Sequence, residues 1–126
     1  MKILNIVETA FRATLEEQDD TVLWITTALR GAGCDNAVLL SHNAVGYGVK
    51  GQDASGLKFG DMKQTQPPRL AQDLRSLMEK GAAVYLVADD LADRGIRKDE
   101  LIDGLELVAR ADLPKLLGGF DRVWHW

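Results

Sequence analysis

Lys2 to Val7 (KILNIV) places apolar residues on both faces of an extended chain, the pattern of a strand covered by helices on either side of a sheet. The next stretch, ETAFRATLEEQ, is polar and without period, so it reads as a loop. Val22, Leu23, Ile25, Thr26 and Leu29 then recur at helical spacing, which predicts a helix capped by Asp19 or Asp20 and stopped at Gly31 and Gly33. Asn36 to Ser41 (NAVLLS) reads as a second strand. A polar stretch, HNAVGYGVKGQDASGLKFGDMKQTQ, follows it with five glycines between His42 and Gly60 and a short helical turn over Asn43 to Val49. Long connections of this kind concentrate function or mobility.

Beyond it, Leu70, Leu74, Leu77 and Met78 share one face of a helix ended by Gly81. Thr65 or Gln66 is its expected cap, with Pro67-Pro68 in its first turn. Ala83 to Ala88 is the third strand, followed by a short helix near Lys98 to Asp103 and a brief apolar segment, Leu105 to Ala109. Asp112 then caps a last short helix with Pro114 in its first turn and Gly118-Gly119 at its end, and Arg122 to Trp126 forms the closing strand. Strand and helix alternate throughout. That alternation predicts an α/β fold with a mostly parallel sheet of about five strands, right-handed crossovers and helices on both faces.

Composition narrows the function classes. At 126 residues, 46% hydrophobic and 27% charged, the chain has the makeup of an ordinary globular protein, expected as one domain over 1–126. Its net charge of −4, with no stripe of Lys and Arg, argues against a nucleic-acid partner. The first apolar run is interrupted by Asn5 and closed by Glu8, too short for a secretory leader or a membrane span, so a cytoplasmic location with no membrane association is expected. Cys34, the sole cysteine, excludes an intramolecular disulfide and a cysteine-based zinc cage.

Ligands of an open parallel sheet bind beyond the carboxyl ends of its strands. That rule selects Glu8 and Arg12, then Ser41, His42 and Asn43, then Asp89 and Asp90, then Arg110, and finally His125. Asp89 and Asp90 are adjacent, so on an extended backbone they point to opposite sides. One of them is expected to cap the next helix while the other pairs with Arg94; magnesium coordination or acid/base work is the other reading. His42, in a polar, glycine-rich context, is either solvated or an acid, base or ligand, and His125, between Trp124 and Trp126, is expected to pack or to meet a partner. Cys34 precedes the second strand and so belongs to the opposite, amino edge, where its thiol is read as incidental. Gly46, Gly48 and Gly51 match neither the phosphate-loop nor the dinucleotide spacing, and no cofactor or metal is expected.

Taken together, KILNIV, DDTVLWITTALRGAGCDNAVLL, HNAVGYGVKG, VYLVADDLADRGI, ELIDGLELV and FDRVWHW resemble the DsrE/DsrF-like family, which includes small subunits of bacterial sulfur-relay complexes. The most specific part is Arg94-Gly95-Ile96 with the Gly104 turn beyond it. The resemblance implies the DsrE-like fold, assembly into trimers or hexamers of itself or with related subunits, and a sulfur-accepting cysteine shortly before Arg-Gly. Aligned on Arg94-Gly95, that position holds Asp90. A carboxylate has no thiolate sulfur to accept a persulfide. The expected function is therefore a DsrE-like protein related to intracellular sulfur metabolism, a binding or assembly subunit without a relay thiol, using Glu8, Arg12, His42, Asn43, Asp89, Asp90 and Arg94 for binding. The alternative is a small-molecule or metal-binding enzyme built on Glu8, His42, Asp89 and Asp90. Whether it is an enzyme is left open by the sequence.

Overall fold

The computed structural model describes residues 1–10, 20–52 and 56–126. Strands β1 (Lys2–Val7), β2 (Asp35–Leu40), β5 (Val84–Val87), β6 (Glu106–Val108) and β7 (Arg122–His125) form one sheet in the order β6-β5-β2-β1-β7. Every pairing in it is parallel. The α/β class and the five-stranded sheet agree with the alternation in the sequence.

Strand order explains the two layers. From β1 through β2 and β5 to β6 the chain always steps toward the same edge, so right-handed crossovers keep the connecting segments on one face. That face is covered by α1 (Thr21–Gly31), α2 (Leu70–Glu79), α3 (Ala88–Asp93) and a 3-10 segment, His42–Gly48. Val7, Val38, Leu40, Val84 and Leu86 of the sheet pack there against Val22 and Leu23 of α1, Leu70, Leu74 and Leu77 of α2, and Tyr47. The step from β6 to β7 runs back across the sheet, and the same handedness sends α4 (Leu113–Leu117) to the other face. The smaller core there joins Leu4, Ala37, Leu39 and Val87 to Leu113, Leu116, Leu117 and Phe120.

Asp20 caps α1 as expected: its Oδ1 accepts from the backbone N–H groups of Val22 (2.9 Å) and Leu23 (3.2 Å). Its Oδ2 accepts the Tyr47 hydroxyl at 2.6 Å, which anchors the helix start to the 3-10 segment. The 3-10 segment covers the helical turn expected over Asn43 to Val49.

The start of α2 differs from expectation. Arg69 occupies the cap position with no side-chain cap bond, and Pro67-Pro68 precede the helix. A residue before proline is pushed out of the helical region, so Gln66 and Pro67 are both driven extended and the helix begins only after the pair. The helix near Lys98 to Asp103 contracts to a 3-10 turn, Lys98–Glu100. The long polar stretch contains a hairpin that the sequence reading did not predict, β3 (Lys58–Phe59) and β4 (Met62–Lys63), joined at Gly60 with φ +57°.

Candidate functional site

β1 is the strand at which the chain reverses direction across the sheet, with β2 on one side and β7 on the other. A crevice at the carboxyl end of such a switch is where α/β sheets accept ligands. Glu8 leaves β1 there. Its Oε1 lies 3.0 Å from His125 Nε2, at the end of β7, and 3.4 Å from His42 Nδ1, just past β2. All three side chains are open to solvent, with relative exposures of 38% for Glu8, 60% for His42 and 57% for His125. His42 Nδ1 also lies 3.3 Å from the hydroxyl of Ser41, whose residue is buried.

His42 carries a positive φ of 49°, the only non-glycine among the described residues to do so. This strained turn aims its backbone N–H at Asp90, whose Oδ2 accepts it at 2.7 Å. His42 therefore belongs to two clusters, its ring facing Glu8 and its amide facing Asp90.

Asp90 is 3% exposed, and its charge is nevertheless well satisfied. Arg110 donates to its Oδ1 at 2.5 Å, and Arg94 Nη1 stands 3.9 Å from the same oxygen. Burial is the largest single influence on the Asp90 carboxyl and pushes it up. The His42 amide, the Arg110 hydrogen bond and electrostatic attraction to His42 and Arg110 together outweigh that, and the net direction is down. Arg110 is in turn held above the ordinary arginine value by its hydrogen bond and charge pairing with Asp90. Asp90 is thus a carboxylate anchor among fixed donors, ionised at neutral pH.

The two adjacent acids are not opposed, and neither caps the following helix. The cap position of α3 is Val87, and Asp89 and Asp90 sit in the first turn. Because the helix starts directly after β5, the two side chains diverge by about 100° instead of the 180° of a strand, so both reach Arg110. Asp89 Oδ1 accepts from the Arg110 backbone N–H at 3.0 Å, beside the Asp90 contact with its guanidinium. The expected Asp–Arg94 pairing is present only at 3.9 Å. Arg94 instead donates through Nε and Nη2 to Asn43 Oδ1 at 3.1 and 2.9 Å, and through Nη1 to the Asp90 carbonyl at 3.1 Å.

Of the expected site residues, His42, Asn43, Asp89, Asp90 and Arg94 are joined in one network, and Glu8 meets that network through His42. Arg12 lies outside the described residues. Arg110 and His125, rim residues outside the expected binding set, stand 2.5 Å from Asp90 and 3.0 Å from Glu8, the shortest ion-pair distances of either acid among the described residues. Their position at strand ends was the available signal. His125 therefore serves the rim; Trp124 and Trp126 pack edge to face beside it, 6.4 Å between ring centres. Cys34 lies at the amino end of β2, at the far edge of the sheet.

For a metal, a site joining Glu8, Asp89 and Asp90 would need β1 and β5 as neighbours, and β2 separates them. Among the described residues, no three His, Cys, Asp or Glu side chains are placed to hold an ion.

No protein-family model and no curated protein matches the chain. Solved structures do. The chain is similar to the ychN protein from E. coli, with 25% identity, a TM-score of 0.76 and coverage of 99% of this chain and 98% of that one. It is similar in fold to MTH1491 from Methanobacterium thermoautotrophicum, a protein of unknown function, at 12% identity and a TM-score of 0.62 over 98% and 97% of the two chains. BT1422 from Bacteroides thetaiotaomicron, also of unknown function, matches at 11% identity and a TM-score of 0.67 over 99% and 94%. The fold is the DsrE-like fold expected from the sequence. Among the described residues no helix is long and apolar enough to cross a membrane.

Proposed function

We propose that this protein is a binding or assembly subunit of DsrE-like type, related to intracellular sulfur metabolism, that does not itself carry sulfur. One observation carries the reading: Asp90, which the resemblance aligns with the relay cysteine, is a buried carboxylate held by the His42 amide and Arg110. Its residue type and its fixed partners suit a structural anchor. Sulfur transfer needs a polarisable thiolate at the rim, and Cys34 sits at the opposite edge of the sheet. Ligand contact in this reading falls to the exposed parts of the rim, Glu8, His42, Asn43 and Arg94, joined by His125 and Arg110, with Arg12 and Asp89 kept in the proposed set. A cytoplasmic location and assembly into trimers or hexamers, alone or with related DsrE-like subunits, belong to the same proposal.

The test is incubation with a persulfide donor followed by intact-mass analysis. No stable gain of sulfur is expected on the wild type, and a gain on the wild type that disappears in Cys34→Ser would overturn the reading.

A second reading is favoured by Glu8 standing between two imidazoles, His42 and His125. An exposed carboxylate and two histidines at a strand switch can exchange protons with a small molecule. Loss of ligand-induced thermal stabilisation in Glu8→Gln, screened against small anions and sulfur oxyanions, would support it.

A further inference from the structure

An ionised carboxylate oxygen only accepts, so a ring nitrogen that faces it carries the hydrogen. Glu8 Oε1 meets His125 Nε2 at 3.0 Å and His42 Nδ1 at 3.4 Å, which makes both inward nitrogens N–H groups. The Ser41 hydroxyl, 3.3 Å from the same His42 Nδ1, would donate to it only if the ring turned a lone pair toward Glu8, which the carboxylate charge disfavours. Ser41 Oγ is therefore an acceptor here and not a hydroxyl activated by the imidazole.

One proton position on each ring is thus settled, and the outward nitrogens follow. In the neutral rings His42 Nε2 and His125 Nδ1 carry lone pairs. Neither has a hydrogen-bond partner among the described residues, and both rings are more than half exposed. The neutral cluster therefore presents one carboxylate and two outward lone pairs, with a single negative charge and no donor for an anion. Protonation of both rings adds an outward N–H to each and turns that charge from one negative to one positive. Because both rings hang on one carboxylate oxygen, the new donors flank the same patch of the rim.

The surrounding charges are spent elsewhere. Asp90 on α3 faces the backbone amide of His42, Arg94 donates to Asn43 and to the Asp90 carbonyl, and Asp89 and Asp93 lie against Arg110. Trp124 and Trp126 flank His125 in sequence and are neutral. Among the described residues Glu8 is the only ion-pair partner of either ring.

We propose that Glu8, His42 and His125 form a proton-gated oxyanion site, which takes a compact dianion when both imidazoles are charged and releases it when they are neutral. The inference rests on the second reading above, and it names the ligand class and the regulation of that same site. Binding takes up protons on His42 Nε2 and His125 Nδ1, so affinity rises as pH falls through the range in which imidazoles gain charge, about pH 8 to 5. By reciprocity, the bound anion holds both rings protonated.

The experiment uses the full chain with 15N-labelled histidine. The chain has two histidines, and His42→Asn and His125→Gln assign them. Asparagine tolerates the left-handed backbone at 42, and neither replacement can gain a proton near neutral pH. Long-range 1H–15N spectra at about pH 8 read the tautomers, and titration with sodium sulfate at fixed ionic strength, from about pH 8 to 5.5, reads the affinity. Sulfate keeps its charge across this range, so a pH dependence belongs to the protein. The expected result is Nδ1–H for His42 and Nε2–H for His125 in the neutral rings. Sulfate should bind at least about tenfold more tightly at the acid end, with a shallower dependence in each single variant. The opposite tautomer at either ring overturns the inference, as does sulfate binding that ignores pH or persists unchanged in the double variant. Absence of sulfate binding at every pH also overturns it. The second reading then stands if the ligand screen still finds stabilisation that Glu8→Gln removes, and falls with the inference if the screen finds none.

Discussion

Asp90 and Arg110 meet at 2.5 Å, a carboxylate 4% exposed against a guanidinium 54% exposed. The contact ties α3 to the segment that follows β6, and it is asymmetric. Removing the arginine strips a buried charge of its shortest contact, whereas removing the carboxylate leaves an arginine that water can solvate.

Arg110→Ala should therefore destabilise the protein measurably, because it leaves the buried Asp90 carboxylate under-satisfied. Asp90→Asn keeps an acceptor for the His42 amide and should cost less. Urea melts at neutral pH give both values. An Asp90→Asn loss larger than that of Arg110→Ala would contradict the asymmetry.

The depressed Asp90 carboxyl makes part of the stability pH-dependent. Its folded value lies below the unfolded value of about 3.9, so its contribution is fully present above that pH and is lost as pH falls through the folded value. The wild type should thus lose its advantage over Asp90→Asn as pH drops below about 4. Thermal melts of the two proteins from neutral to strongly acid buffer should converge, and a gap that stays constant would refute the assignment.

The backbone of His42 is held at φ 49°, a region that costs a non-glycine residue of order 1 kcal/mol. His42→Gly should be at least as stable as the wild type, because the glycine adopts this turn freely and the lost ring contacts are solvent-exposed. His42→Val, β-branched in the left-handed region, should be clearly less stable. If the glycine variant melts several degrees lower, the ring contacts with Glu8 and Ser41 carry more than exposed pairs normally do.

Tyr47 and Asp20, both fully buried, join through a 2.6 Å hydrogen bond. Tyr47→Phe leaves Asp20 Oδ2 without this donor and should cost about 1–3 kcal/mol. For a domain of this size that corresponds to a fall of about 3 to 15 °C in Tm, read by calorimetry. The α1 end should become more open to amide exchange in the same variant.

The elements of the fold were legible wherever a local period marks them. β1, β2 and β5 fall within about a residue of their apolar runs, and Asp20 was readable as a cap from its place before the first periodic residue. The start of α2 was misplaced because a proline pair signals both a helix entrance and an extended lead-in, and here the second effect prevailed. The hairpin escaped because two-residue strands are too short to display alternation.

The site was legible as a rim and illegible as a set of partnerships. Strand ends placed Glu8, His42, Asp90, Arg110 and His125 at one edge, which the parallel sheet requires. That Glu8 meets His125 depends on β7 lying beside β1, and that both acids serve Arg110 depends on α3 starting without a loop after β5. Hydrophobic periodicity is a property of neighbouring residues, so the chain alone decided the strands and helices that carry such a period and the edge at which the strands end. Which charged groups face one another was decided by strand order and helix entry, since these bring together side chains far apart in sequence and make one carboxylate a buried anchor while another stays open.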